Sequence, residues 1–255
     1  KSKTGMLRLV RDPKTVVGVI ISMAGIYWAF KDFQFLDFKE SIHQIDLLYL
    51  VLATLFLWGS VWLRGLRWKW LFKQNNSPKI SSLYKAELIG YFGNNVLPLR
   101  LGELLRSYII SKECSLSKSF VFGTVVLERL MDTLALASFA LLLLLTYPLE
   151  EAIRGYIMWG GIISFVVIAI FLIVLNHIQI FQTENKILTI IKKVLDGLSS
   201  IRKEMVIPVI ISSLLIWCIY LLDVYLMQKA FQFNLSWSQT LTVLVISSFA
   251  LSIPS

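Results

Sequence analysis

Cysteine and histidine are almost missing from this chain: its 255 residues include two of each. Cys114 and Cys218 cannot build a disulfide framework or a metal cage. Cys218 lies inside an apolar stretch, where it reads as a small hydrophobe. His43 and His177 flank apolar runs and suggest no metal site. Charge is scarce too. Only 16% of the residues are charged, against about 25% in a soluble domain. Acidic residues are the rarer sign, 16 against 25 Lys and Arg. The net charge of +9 raises the question of a nucleic-acid partner. The basic residues stand beside apolar segments, which is the pattern of cytoplasmic loops and of contact with anionic lipid. Nucleic acid is rejected on that ground. No low-complexity linker, short-period repeat or P-loop is present, and nothing points to a cofactor or metal.

Apolar residues make up the balance. The chain is 56% hydrophobic with a mean hydropathy of +0.71, more than the interior of a soluble domain can hide. A membrane-spanning helix needs about 20 mostly apolar residues. Apolar segments run from Thr15 to Phe30, Leu47 to Leu63, Ser119 to Thr146, Gly155 to Leu175, Val206 to Met227 and Thr240 to Pro254. The first follows Lys1, Lys3, Arg8, Arg11 and Lys14, like a signal peptide. Tyr27-Trp28-Ala29 is a poor cleavage site, so an uncleaved helix is expected. The fold class expected is an all-α polytopic transmembrane bundle, one transmembrane domain over residues 1–255.

Lys and Arg stay on the cytoplasmic side. The basic N-terminus, the stretch Arg64, Arg67, Lys69, Lys73 and Lys79, and the stretch 177–204 are therefore assigned inside. The acidic loop 31–46 and the loop with Glu150 and Glu151 are assigned outside. Residue 79 is then inside, and the helix from Ser119 must end outside. The stretch 81–118 must cross an even number of times. Leu101 to Ile110 is too short to span, since ten helical residues rise only about 15 Å. A re-entrant or broken helix pair turning near Pro98 is predicted, and such backbone at membrane depth implies a cavity. Trp58, Trp62, Trp68 and Trp70 are expected in the headgroup layer, with Arg64, Arg67 and Lys69 snorkelling to phosphates.

The turn itself reads Gly90-Tyr-Phe-Gly-Asn-Asn-Val-Leu-Pro-Leu-Arg-Leu-Gly-Glu-Leu-Leu-Arg106. Gly93, Asn94 and Asn95 before Pro98 are helix-ending chemistry. Pro98 pushes Leu97 out of the α region, and Gly102 permits a tight restart. Glu103 and Arg106 then share a helix face, and the helix start beside Arg100 offers donors to an anion. A second cluster, Glu128-Arg129-Leu-Met-Asp132, lies within an apolar run. A lone charge at such depth costs about 2.5–3.5 kcal/mol, so these groups must pair. Arg100, Glu103, Arg106, Glu128, Arg129 and Asp132 sum to zero charge, as a satisfied buried network requires. Glu87 and Asp223 are further candidates. Ser247, Ser248 and Ser252 to Ser255 read as helix packing. A purely structural staple and a lipid-phosphate site both fit this pattern.

Asn95-Val-Leu-Pro98, Arg100-Leu-Gly-Glu103, Arg106 and Glu128-Arg129-Leu-Met-Asp132 resemble the signature of the flippase-like transmembrane family of the lysylphosphatidylglycerol synthetase membrane portion. Arg67-Trp68 is similar to its pattern as well. The resemblance runs from about Leu47 to the C-terminus. It implies re-entrant helices and the movement of large-headed lipids between leaflets, with aminoacylated phospholipids or polyisoprenyl-linked glycans as cargo. Arg100, Arg106 and Arg129 are expected to contact the headgroup. Glu103, Glu128 and Asp132 would orient them or bind a cationic aminoacyl group, with Asn94 and Asn95 lining the site. The family's aminoacyl-transferring domain has no counterpart here, so a transporter rather than an enzyme is expected. A transferase acting on a lipid phosphate and a non-transporting scaffold are the rivals. The family continues through a Pro/Gly-rich segment that Ser252-Ile-Pro-Ser255 resembles, so the chain is expected to be C-terminally incomplete. The expected partners are lipids with anionic or aminoacylated heads, a second copy, or a separate lipid-modifying enzyme. The expected location is a bacterial or archaeal cytoplasmic membrane, with the N-terminus cytoplasmic.

Overall fold

The computed structural model describes residues 23–28, 30–31, 33–34, 42–72, 77–97, 101–178 and 186–252. Most of the expected first helix, together with Pro98, Arg100 and residues 253–255, lies outside them. The chain divides into a unit of residues 1–45 and a unit of residues 46–255. In the first unit, residues 23–28 are helical and exposed, and Phe30 meets Phe33 edge-on.

The second unit is all helix among its described residues. Its elements are α1 (Leu47–Trp70), α2 (Ile80–Val96), α3 (Gly102–Glu113), α4 (Lys118–Thr146), α5 (Glu151–Ile178), α6 (Lys186–Leu198), α7 (Val206–Ala230) and α8 (Trp237–Ser252). Among the described residues three helices are long and apolar enough to cross a membrane: α1, α4, and α7 with its preceding turn. α8 is a shorter apolar helix. Leu47, Leu48, Val51, Leu55 and Phe56 of α1 are exposed, as are Trp159, Ile163 and Phe165 of α5. An apolar surface of this extent belongs in lipid.

α1 starts at Asp46, whose carboxylate accepts from the Leu48 N–H at 2.9 Å as an N-cap. The Asp46 N–H donates to the Ala230 carbonyl at 3.0 Å, and at the other end Arg67 donates to Ser213 at 2.8 Å. α1 and α7 are therefore antiparallel partners along their length. α1 does not stop at Leu63 but continues to Trp70. This corrects the assignment of Arg64 and Arg67 to a loop. Both are buried, and so is Trp68, whose indole donates to Thr124 at 2.9 Å. Trp58 and Trp62 remain exposed, about 18 and 12 Å of helix before the end of α1 at Trp70.

α2 and α3 form the expected re-entrant pair. α3 has 12 residues, about 18 Å of helix, far short of a bilayer core about 30 Å thick. Ser82 near the start of α2 hydrogen-bonds Glu113 at the end of α3, so the pair leaves on the side it entered. At the tip, a Cβ on Gly93 would lie 2.8 Å from the Gly102 Cα, and one on Gly102 would collide with the Gly90 carbonyl. Only hydrogen at these positions lets the two backbones approach so closely. Leu97 is extended, φ −93° and ψ 143°, as a residue before proline should be. Gly93, Asn94 and Asn95 do not end α2, which runs on to Val96. Gly93 serves packing instead.

The stretch 177–204 contains a helix as well as basic residues. α6 is amphipathic, burying Leu195 and Leu198 while exposing Lys192, Lys193 and Asp196. It crosses α4 where Gly123 and Gly197 face each other, their hypothetical Cβ atoms overlapping the opposing backbone.

Two apolar clusters fill the bundle. One gathers Trp68, Leu71, Leu83, Ile110, Val121, Val125, Leu198 and Val209. The other gathers Ala135, Leu136, Ala140, Leu143, Ile157, Trp217, Leu241 and Val245. On α4 the first ends at Leu127 and the second begins at Ala135. The charged residues occupy the layer between.

Candidate functional site: an ionic layer open at one edge

Four guanidiniums and four carboxylates meet in that layer. α1 supplies Arg64 and Arg67, α2 Glu87, α3 Glu103 and Arg106, and α4 Glu128, Arg129 and Asp132. Their formal charges cancel, as burial demands. Helical spacing explains the convergence. Ser60, Arg64, Arg67 and Trp68 lie on one buried stripe of α1, and Glu128 and Asp132 lie one turn apart on α4.

Glu128 is the hub. It is fully buried, and every one of the four arginines reaches it. Its Oε1 accepts from Arg64 at 2.6 Å, Arg129 at 2.9 Å and Arg67 at 3.1 Å. Its Oε2 accepts from Arg106 at 3.1 Å. Asp132 accepts from Arg67 at 2.7 Å and Arg64 at 3.2 Å. Arg106 also donates to Glu87 and, through Nε, to Glu103 at 2.7 Å. Its guanidinium lies over the Trp68 ring, 4.8 Å from the centroid, and Arg64 lies over Tyr91. Arg64 donates to the Tyr220 hydroxyl at 3.3 Å, which is 3.4 Å from the Tyr91 hydroxyl. α7 thus closes one wall of the layer with Ser213 and Tyr220.

The opposite edge is open. Arg64, Arg67 and Arg106 have side chains at most 3% exposed, whereas Arg129 is 41% exposed and Glu103 25%. Arg129 Nε stands 3.8 Å from Glu103 Oε1, so this exposed pair is loose. Asn94 joins it, donating to Glu103 at 3.4 Å. The opening lies where the tip of the α2–α3 hairpin meets α4.

Five of the eight residues expected from sequence therefore come together: Glu103, Arg106, Glu128, Arg129 and Asp132, with Asn94 beside them. Arg100 lies outside the described residues. Asn95 is exposed and donates to the Tyr91 carbonyl of its own helix at 2.8 Å, so it does not reach the layer. Arg106 is deeply buried and ion-paired with Glu87, Glu103 and Glu128, whereas Arg129 is the most exposed cation of the layer among the described residues. Glu87 joins; Asp223 forms no ion pair among the described residues. Arg64 and Arg67 escaped the sequence reading as site residues, because a basic run after an apolar segment reads as a loop. Their spacing of three, continuing the Ser60–Arg64 stripe, was the available signal.

Taken together, these features define a helical membrane protein with a re-entrant hairpin and a neutral ionic layer in its interior. The chain belongs to the family described as the lysylphosphatidylglycerol synthase TM region, whose model matches residues 15–255. It is 30% identical over 150 residues to one UPF0104 membrane protein of Methanocaldococcus jannaschii, covering 56% of this chain and 63% of that protein. A second UPF0104 membrane protein of that organism is 31% identical over 126 residues, 47% of this chain and 34% of its own length. The matched stretches thus span less than two thirds of either relative. No solved structure matches.

Proposed function

We propose that the protein is a transporter that moves a phosphate-headed lipid between leaflets through the opening beside Arg129. One observation carries this reading. Arg129 is the exposed cation on an otherwise buried and neutralised layer. A half-exposed guanidinium within an apolar helix is costly against hydrocarbon and needs water or an anion. A lipid phosphate supplies that anion through charge-assisted bonds. Glu103, one quarter exposed, offers the complementary site for an aminoacyl ammonium. The buried arginines hold Glu128 and Asp132 in place, so that Arg129 is aimed without being fully quenched.

The same reading makes the chain a carrier, in which the carboxylates of the layer hold and aim guanidiniums. The test is leaflet exchange of a fluorescent phosphatidylglycerol in proteoliposomes. Arg129→Gln should slow exchange at least about tenfold, the loss of one charge-assisted contact, with the melting temperature nearly unchanged. Exchange at the parental rate in a folded Arg129→Gln protein overturns the proposal. Product formation from a lipid phosphate without exchange would favour a transferase instead.

A further inference from the structure

Asp223 takes no part in the ionic layer, yet it lies well inside α7. It stands seven residues before the end of that helix at Ala230, about 10 Å of rise. Val209, Ser212, Ile216, Asp223 and Ala230 follow one another at steps of three, four and seven residues, which is one stripe of a helix. The other four are buried, Ile216 and Ala230 completely, and Asp223 alone is partly exposed. The Ala230 carbonyl accepts from the Asp46 N–H, so the stripe faces the seam with α1. No hydrogen bond or ion pair reaches the Asp223 carboxylate among the described residues.

The neighbouring helices offer it no charge. The bonds from Asp46 to Ala230 and from Arg67 to Ser213 set the register of α1 against α7. They bring residues 53–57 opposite Asp223, and the sequence there is Ala-Thr-Leu-Phe-Leu. Asp46 and Tyr49 of α1 lie toward the Ala230 end. α8 has no titratable residue, and α4 has none beyond Asp132. Lys203 and Glu204 precede the opposite end of α7, and Lys229 lies over the Tyr225 ring. The titratable neighbour is Tyr220, one turn before Asp223, whose hydroxyl accepts from Arg64 at 3.3 Å and meets that of Tyr91. Tyr220 thus joins this place to the layer. An unpaired carboxylate in an apolar helix is costly while charged, and a proton removes the charge. The layer is neutral, which leaves Asp223 as an unbalanced charge. A lipid phosphate at Arg129 would add a second negative charge, and like charges in a poorly screened interior disfavour each other. A proton on Asp223 relieves that repulsion, and the phosphate in turn favours the proton, since linkage is reciprocal.

We propose that Asp223 is a proton-binding site coupled to the anion at Arg129, so that the lipid crosses together with a proton. Coupling rests on the transport reading above, whereas proton binding can be measured without it. Infrared difference spectra of the full chain in nanodiscs read the proton directly. The parent should show a protonated-carboxyl band that Asp223→Asn lacks and Asp223→Glu restores. The pH at which the band disappears should be higher in phosphatidylglycerol than in phosphatidylcholine, by about one unit more in the parent than in Arg129→Gln, a tenfold coupling. In proteoliposomes, a pH gradient should drive a fluorescent phosphatidylglycerol toward the alkaline leaflet in the parent. Asp223→Asn should exchange it without that bias. A band unchanged in Asp223→Asn overturns the proton site. A bias that persists in folded Asp223→Asn overturns the coupling, as does parental exchange that ignores the gradient. Absence of exchange in the parent would fail the transport reading and the coupling with it, while a band lost in Asp223→Asn would still establish the proton site.

Discussion

Replacing Glu128 by glutamine removes one negative charge from the point where all four guanidiniums meet. The side chain keeps its size, so no cavity opens and the effect is electrostatic. Oε1 could still accept from Arg64, Arg129 and Arg67, which stand 2.6, 2.9 and 3.1 Å away. The other terminal atom becomes an NH₂ that faces the Arg106 donor, 3.1 Å from Oε2 in the parent. Two donors then oppose each other in the buried part of a layer left with one uncompensated positive charge. Removing one partner of a buried ion pair costs about 3–5 kcal/mol. In a chain of this length that corresponds to a fall of roughly 10 °C in melting temperature. The assay is thermal unfolding of the purified protein in lipid nanodiscs. A second substitution checks the cause. Adding Arg67→Met to Glu128→Gln restores neutrality and should recover at least about half of the loss, since the two residues share one network. A Glu128→Gln protein that melts within about 2 °C of the parent, or a double variant no better than the single, refutes the picture of Glu128 as hub.

Three further outcomes follow from the same geometry. Arg129→Gln lies at the exposed edge, so its stability cost should stay under about 1 kcal/mol while lipid exchange falls; a large loss of stability would place it inside the staple instead. Cysteines at Lys79 and Lys112, in a background with Cys114 and Cys218 replaced by serine, should react with an impermeant maleimide from the same side of the membrane, because α2 and α3 return to one side; labelling from opposite sides would make each of them a full crossing. Gly102→Val should force the hairpin tip apart at a cost of about 1–3 kcal/mol and expose its backbone to hydrogen exchange, whereas an unaltered exchange pattern would mean that the tip is not closely packed.

The elements most legible in the sequence were those governed by local rules. The apolar runs at Leu47, Ser119 and Val206 became α1, α4 and α7. Leu97 turned out extended because Pro98 restricts it whatever the surroundings. The broken hairpin was legible from the shortness of Leu101 to Ile110 and from Pro98, both local features of the sequence. The layer was harder to read, because its residues are far apart in the chain. Nothing local separates Arg64, which reaches Asp132 and Glu128, from Lys69, which lies on the other side of the same helix. Both belong to one basic run, and only the buried face of α1 tells them apart. Asn94 and Asn95 show the same limit. They are chemically alike neighbours, yet a rotation of about 100° along α2 sends one to Glu103 and the other back to its own backbone. α6 was missed because its basic residues dominated the reading of 177–204, although Leu195 and Leu198 fall on one side of it.

The placement of the hub on α4 has a consequence for biosynthesis. Arg64 and Arg67 leave the ribosome long before Glu128 does. They lie in the last two turns of α1, from where long side chains reach the interface until a partner arrives. The layer can close only when α4 delivers Glu128 and Asp132. A nascent chain halted before residue 128 holds three of the layer's arginines against only Glu87 and Glu103.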